Sequence, residues 1–214
     1  MDALDLPRCL RSSKGCMEAV DLPDCMKAGH GPCSEQPPIL NLTEREGFRF
    51  ATASYEISPD FMDKLRTVIA PAIVRLGDQL HAHVVEVVGH TDSVPLHGPQ
   101  ADRRQGTSSL DYSLNRYLSG DKTLSGSRAI VMADNLDLGM MRAAAVARAL
   151  QDLPDLRDHG FIFLAMSAGQ TIGPDDRPIG AESGQPVGDE ARRRVEIRLR
   201  RSLADRHSGT GTLP

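Results

Sequence analysis

The alternation of apolar and polar residues becomes regular only after about residue 46. Residues 47–51 alternate around two phenylalanines, which predicts a short, half-buried strand. A helix is predicted to follow, because Ser58 is a good N-cap, Pro59 suits the first helical position, and apolar residues then recur at helical spacing. Pro71 falls inside that pattern, so we expect it to kink or divide the helix.

The same kinds of pattern predict one more helix and three more strands. The valine-rich stretch at 83–89 is typical of a central strand covered on both faces, or of a parallel strand. Residues 137–152 carry one apolar stripe and predict a helix, and the apolar run at 161–166 predicts a buried strand. Residues 192–200 predict a last strand with two distinct faces, one carrying Arg193, Val195, Ile197 and Leu199 and the other Arg194, Glu196, Arg198 and Arg200.

Strands that alternate with helices predict a sheet with helices packed on it. A polar, Gly/Ser-rich insert at 93–133 interrupts this order. Apolar residues recur at helical spacing within it, so we expect a short helix at 110–118 that packs on the body. The other interpretation of those apolar residues is a partner-binding lid. A second loop, rich in glycine and proline, is predicted between residues 167 and 190.

All the cysteines lie in the first 33 residues, and this asymmetry marks a separate N-terminal segment that contains Cys9, Cys16, Cys25 and Cys33. Their spacing matches no zinc knuckle or CxxC redox motif. Disulfides within or between chains, unpaired thiols, and a metal site that includes His30 are the alternatives. We divide the chain into a cysteine-containing segment with a linker (1–45), a main domain (46–203) and a flexible tail (204–214).

Composition and charge exclude several classes of function. The 214 residues are 40% hydrophobic and carry a formal net charge of -4, so no general basic field is available to hold nucleic acid. Six arginines fall within residues 192–201, but those that alternate around Glu196 are typical of a solvated sheet face. We expect no nucleic-acid partner. No apolar run reaches the ~18–20 residues of a membrane span, and the start lacks the features of a secretory signal.

The histidines raise the alternative of a metal-dependent hydrolase. His81 and His83 lie at or before the start of the valine-rich strand, and His90 lies at its other end, roughly 20 Å away at about 3.3 Å per residue. They cannot share one ion, and the chain has no GxSxG, HExxH or P-loop motif. We therefore expect no enzymatic activity, no metal and no cofactor.

Four polar residues stand where the patterns predict burial or a strand end. Arg142 lies beside the apolar stripe of its helix and Arg193 on the apolar face of the last strand, so both guanidinium groups need an anion. Asp92 ends the valine-rich strand, where open sheets bind ligands. Asn135 is near a helix start, where it can cap the helix or touch a ligand. The alternative is a purely structural ion-pair network of Asp92, Arg142 and Arg193.

Three blocks of this sequence resemble the signature of the OmpA-like C-terminal domain, which OmpA, Pal and MotB proteins share. They are residues 89–92 (Gly-His-Thr-Asp), 135–146 and 193–197 (Arg-Arg-Val-Glu-Ile). The likeness extends over residues 46–202, apart from the insert. It implies an α+β fold, a two-layer sandwich of the βαβαββ type. In that fold helices pack on a mixed sheet, and here a long insert precedes the second main helix.

The resemblance also implies a function. Members of this family bind peptidoglycan non-covalently by gripping the diaminopimelate of the stem peptide. It assigns Asp92 to the ammonium group of the ligand and Arg142 to its carboxylate, with Arg193 and Asn135 as supporting contacts. Arg192 departs from the family pattern, which usually has asparagine there, and is expected to make the site more anion-seeking.

A cellular place and partners follow from the same resemblance. We expect a cell-envelope protein, periplasmic and associated with a membrane such as the outer membrane, that anchors an envelope protein or complex to the wall. Peptidoglycan is the main expected partner; a homodimer and a membrane partner protein are the others. In such an oxidising compartment the cysteines are expected to form disulfides. The alternative is a MotB-like wall-anchoring component of a membrane motor or assembly that acts mainly through protein–protein contacts.

Overall fold

Four strands form one mixed sheet in the computed structural model of the protein, which describes residues 39–96, 108–124, 130–179 and 188–202. The strands are β1 (Ile39–Thr43), β2 (Val84–His90), β3 (Ile162–Gly169) and β4 (Arg194–Arg200). Their order across the sheet is β1-β4-β2-β3. The β2–β3 pair is parallel, whereas β4 runs antiparallel to both β1 and β2. The predictions for the tail and for the four cysteines fall outside the described residues.

Helices pack on this sheet, which confirms the predicted α+β fold. They are α1 (Pro59–Lys64), a π-helical turn (Leu65–Ile69), α2 (Ala70–Leu80), α3 (Leu110–Leu118), α4 (Asn135–Gln151) and α5 (Pro154–Asp158). Two 3₁₀ turns lie at Glu44–Glu46 and Lys122–Leu124. None of the described helices is both long enough and apolar enough to cross a membrane.

The first helical segment begins and is disturbed where the sequence predicts. The Ser58 hydroxyl accepts a hydrogen bond from the Phe61 amide at 3.2 Å, and Pro59 takes the first helical position. The helix then widens into the π turn before Pro71, and the Ala70 amide donates to the Leu65 carbonyl five residues back. Proline lacks the amide that would donate to the preceding turn, so a local change of helical pitch there has a clear cause.

One face of the sheet and the helices enclose the main core. Its fully buried side chains come from both layers and include Leu42, Phe61, Leu65, Ile73, Leu76, Val85, Val87, Val146, Leu150, Ile197 and Leu199. Helix α4 crosses β2 very closely at two glycines. A Cβ on Gly89 would lie 2.0 Å from the carbonyl oxygen of Gly139, so only hydrogen fits there. This approach brings the end of β2 close to the first turns of α4.

The first strand lies earlier than the sequence analysis placed it. The segment 47–51 is not a strand, although its alternation is real: Phe48 and Phe50 are buried and meet the ring of Phe61 edge-on at 5.3 and 5.1 Å. The outer edge of β4 is instead taken by Ile39–Thr43, which lies before residue 46. Alternate residues of a segment can be buried because they pack on a helix, even when the segment pairs with no strand.

The strand predicted at 161–166 is confirmed as β3, but the prediction that it is buried is wrong. Ile162 is 52% exposed and Leu164 is 38% exposed. Among the described strands β3 pairs only with β2, so it forms one edge of the sheet, and α4 covers only its other face. An apolar run alone does not distinguish a central strand from an edge strand.

The prediction of a solvated outer face on the last strand is also wrong for two of its residues. Arg194 and Glu196 are 5% and 1% exposed. Arg194 donates to the Gly173 carbonyl at 3.0 Å, so the loop after β3 covers this part of the sheet. Glu196 pairs with Arg194 at 2.7 Å and with Arg198 at 2.6 Å, and its carboxylate lies 3.1 Å from Nε2 of His90. These partners offset the burial of the charges.

The insert contains the predicted helix and packs on the body through it. Helix α3 covers the predicted residues, and Tyr117 and Leu124 are buried in a second cluster with Tyr55 and Met141. The rings of Tyr55 and Tyr117 meet edge-on at 6.0 Å. The guanidinium of Arg148 lies 4.9 Å from the centre of the Tyr117 ring. The apolar residues of α3 other than Tyr112 therefore serve packing, whereas Tyr112 is 85% exposed and does not contribute to it.

Candidate functional site

A cleft of about 460 Å³ lies at the end of the sheet where β2 stops and β4 starts. Because β1 and β2 end at this side and β4 begins there, the residues that follow the first two strands and those that precede β4 converge here, together with the start of α4. All four residues singled out from the sequence line it: Asp92, Asn135, Arg142 and Arg193. The topology thus gathers side chains that are far apart along the chain.

Asp92 is held in place by donors on both of its oxygens. Its Oδ1 accepts from the Val94 amide at 3.1 Å, a local turn formed as the chain leaves β2. Its Oδ2 accepts from Nη1 of Arg193 at 2.5 Å and from the Asp189 amide at 3.2 Å. These three donors fix the orientation of the carboxylate in the cleft.

Arg193 bridges two carboxylates. While Nη1 binds Asp92, Nη2 donates to Oε2 of Glu44 at 2.9 Å. The pKa of Arg193 is raised, mostly by the hydrogen bond to Glu44. Burial lowers this pKa, and the hydrogen bond to Asp92 raises it further. Arg193 therefore stays charged. Its single positive charge balances only one of the two negative charges of Glu44 and Asp92.

Arg142 differs from Arg193 in having no carboxylate at ion-pair distance among the described residues. It is only 4% exposed, its Nε donates to the Ser54 carbonyl at 3.0 Å, and its guanidinium lies 5.0 Å from the centre of the Phe50 ring. Within the part of the chain that the structure describes, no carboxylate lies within 4.0 Å of it. Burial lowers its pKa to about 10, against the opposing charges of Glu44 and Asp92. Arg142 is therefore a cation at neutral pH. A purely structural ion-pair network accounts for Asp92 and Arg193, which bind each other, but it does not account for Arg142.

Asn135 holds the loop that carries Asp92. Its Nδ2 donates to the carbonyls of Asp92 and Val94 at 3.2 and 3.0 Å. The cap of helix α4 is Asp134 instead, whose carboxylate accepts from the amides of Leu136 and Asp137. The sequence left two roles open for Asn135, a helix cap and a ligand contact. Its neighbour Asp134 performs the capping.

Three residues of the cleft were missed by the sequence analysis. Glu44 is buried beneath Arg193, although its position falls in the predicted linker. It shares the parity of Leu40 and Leu42, so recognising β1 would have placed it on the core side. At the rim, Arg49 and Glu190 form an exposed ion pair at 3.2 Å.

Arg192 does not take the place expected for it. Its Nη2 donates to the Gln170 carbonyl at 2.9 Å, and the residue is not part of the cleft wall. The charge of the cleft is therefore set by other residues. Among the described residues, His, Cys, Asp and Glu form no group of three or more that could hold a metal ion.

The cleft is thus a compact set of fixed charges in an α+β domain. Four of them are largely withdrawn from solvent: the carboxylates of Glu44 and Asp92 and the guanidiniums of Arg142 and Arg193. Their formal charges sum to zero, with the anionic pair gathered around Arg193 and the second cation on α4. Such a site is complementary to a small group that carries both signs of charge.

Among solved structures, the chain is similar to MotB periplasmic domains and to a MotB-like protein, with low sequence identity. The chain is similar to the periplasmic domain of Helicobacter pylori MotB with 20% identity and a TM-score of 0.42, over 81% of this chain and 90% of that one. A second structure of that domain gives 23% identity and a TM-score of 0.43, over 81% and 84%. A putative MotB-like protein from Desulfovibrio vulgaris gives 17% and 0.40, over 77% and 74%. No family model and no curated protein matches the chain.

Proposed function

We propose that this cleft binds peptidoglycan non-covalently by holding the zwitterionic end of a diaminopimelate side chain. The domain would thereby anchor an envelope protein or complex to the cell wall in the periplasm. One observation carries the proposal: Arg142 is a buried guanidinium with no described carboxylate within 4.0 Å, and it opens to the same cleft as the Asp92–Glu44 pair. A buried cation without an anion of its own is costly unless a ligand supplies one.

The proposed roles follow from the contacts. Arg142 takes the carboxylate of the ligand through a forked pair, since its planar guanidinium matches a carboxylate. Asp92 receives the ammonium group, supported by the net negative charge that it shares with Glu44. Arg193 fixes Asp92 by donating to its side-chain carboxylate, and Asn135 fixes it by donating to its backbone carbonyl.

A second candidate function is that of a MotB-like wall-anchoring component of a membrane motor or assembly, working mainly through protein contacts. The exposed apolar residues Ile162 and Leu164 on the edge strand favour it, because an open edge with apolar side chains is a natural contact surface. A membrane partner protein or a second copy of the chain would occupy that surface.

Sedimentation with insoluble peptidoglycan tests the first proposal. We expect wild-type protein to pellet with the sacculi, and Asp92→Asn and Arg142→Met to lose about tenfold or more in affinity, because each removes one fixed charge from a desolvated site. Arg148→Met is the control: it also removes an arginine from α4, but this arginine is half-buried and lies over Tyr117, outside the cleft.

Folding must be checked beside binding. Circular dichroism and thermal melting of each variant show whether the domain remains intact. Folded Asp92→Asn and Arg142→Met proteins that bind sacculi as well as the wild type would contradict the proposal. If the wild type itself does not bind, while Ile162→Lys abolishes capture of a membrane protein, the second candidate function is favoured.

A further inference from the structure

Glu44 is a buried carboxylate that lies outside the three sequence blocks of the family resemblance. It belongs to the 3₁₀ turn that follows β1, and its side chain is almost fully withdrawn from solvent beneath Arg193. It also acts on the other cation of the cleft. Burial lowers the pKa of Arg142, and the charge of Glu44 is the largest of the effects that oppose this. Glu44 is therefore an anion that acts on both guanidinium groups, as Asp92 does, and its effect on each is the larger of the two.

Removal of Glu44 would change the charge balance of the cleft. With Glu44 present, two buried carboxylates face the buried guanidinium of Arg142 and the partly exposed guanidinium of Arg193, and these four charges sum to zero. Without it, Asp92 would face Arg142 and Arg193 alone, and the set would carry a net charge of +1. Arg193 would also lose its second acceptor and be free to bind Asp92 with both of its terminal nitrogens. Both changes weaken attraction for an ammonium group, and the added net positive charge strengthens attraction for a carboxylate.

We infer that Glu44 sets the charge selectivity of the cleft, so that it accepts a zwitterionic amino acid in preference to a ligand that offers a carboxylate alone. This inference rests on the proposed function and adds the residue that determines the ligand class. Glu44 is a positioning residue, because it acts through Arg193 and Arg142. The rim carboxylate of Glu190 pairs with Arg49, whose Nε also lies 3.9 Å from Glu44; because Arg49 and Glu190 are 64% and 48% exposed, solvent screens their charges and we expect a smaller effect from Glu190.

Two probes that differ in a single charge test the inference by calorimetry. One is a muramyl tripeptide that ends in meso-diaminopimelate with its free amino group, and the other is the same tripeptide acetylated on that amine. We expect the wild type to prefer the free amine, and Glu44→Gln to reduce this preference by about tenfold or more, since one buried charge is removed. Glu44→Asp keeps the charge and should keep the preference, as should the control Glu190→Gln.

The outcomes separate this inference from the proposed function. An unchanged preference in a folded Glu44→Gln protein overturns the inference alone, because the wild type still binds. A wild type that binds neither probe overturns the proposed function as well. If Glu44→Gln does not fold, Arg193→Gln provides the opposite change, because it gives the cleft a net charge of -1. This variant should increase the preference for the free amine. An unchanged preference in Arg193→Gln overturns the inference.

Discussion

Replacing Gly89 with alanine should separate helix α4 from strand β2. A Cβ at that position would lie 2.0 Å from the Gly139 carbonyl oxygen and 2.7 Å from the carbonyl carbon. An ordinary contact between heavy atoms is about 3.5 Å, so the helix must retreat by roughly 1 Å or more. The obstacle is backbone inside a helix, which cannot rotate away as a side chain can.

The cost can be worked from this geometry. Forcing one extra methyl group into a packed interface costs about 1–3 kcal/mol, and a backbone obstacle places Gly89→Ala at the upper end, about 3 kcal/mol of unfolding free energy. A domain with a stability of about 5–15 kcal/mol still folds. Asp92 follows Gly89 by three residues and Arg142 follows Gly139 by three, so the same movement changes the spacing of the two proposed ligand contacts.

Urea denaturation and sedimentation with sacculi measure the two effects. We expect a loss of about 3 kcal/mol together with a loss of about tenfold or more in peptidoglycan affinity. Gly120→Ala is the control. It has a left-handed φ of +84° but open space around it, so it should cost about 1–2 kcal/mol and leave binding unchanged. Wild-type stability and binding in Gly89→Ala would refute the argument.

Two further predictions concern parts of the molecule away from the cleft. Tyr117→Ala should lower the unfolding free energy by about 3 kcal/mol, because it removes a buried ring from the second cluster, while peptidoglycan binding is kept; urea denaturation and sedimentation check both. Glu196 should stabilise the fold above the pKa of about 4.5 that it has when unfolded, and this stability should be lost as the pH falls from there. Burial alone would raise the pKa of Glu196, but His90, Arg198 and Arg194 lower it to about 2. Glu196→Gln should be less stable at neutral pH and show a flatter pH dependence between about 4.5 and 2, as measured by urea midpoints across that range.

Elements whose signals are local could be predicted from the sequence. The start of α1 depends on Ser58 and Pro59, and α3 and α4 depend on apolar spacing within a few turns. The disturbance at Pro71 is equally local, because a single ring removes one donor. In each case the residues that decide the structure are neighbours along the chain.

The strands show where such signals fail. β1 has only five residues, and its partner β4 lies more than 150 residues later in the chain. Phe48 and Phe50 imitate a strand because they pack on Phe61. Whether β3 is central or at an edge depends on which strands flank it, and burial of Arg194 and Glu196 depends on a loop that folds over them. These are tertiary facts that period and composition do not contain.

The site combines both cases. Asp92, Arg142 and Arg193 stand out individually, because each is a charge at a position where local pattern predicts burial or a strand end. Their pairing does not follow from spacing: Arg193 meets Asp92 across 101 positions and Glu44 across 149. The family resemblance assigns Asp92 to an ammonium group, and the residues alone left open an ion-pair network with Arg193. In the fold Arg193 pairs with Asp92 and also with Glu44, so the charges of the cleft include a carboxylate that was not predicted. What the cleft can bind depends on this sum of charges, and the sum exists only once the ends of β1, β2 and β4 are brought to one place.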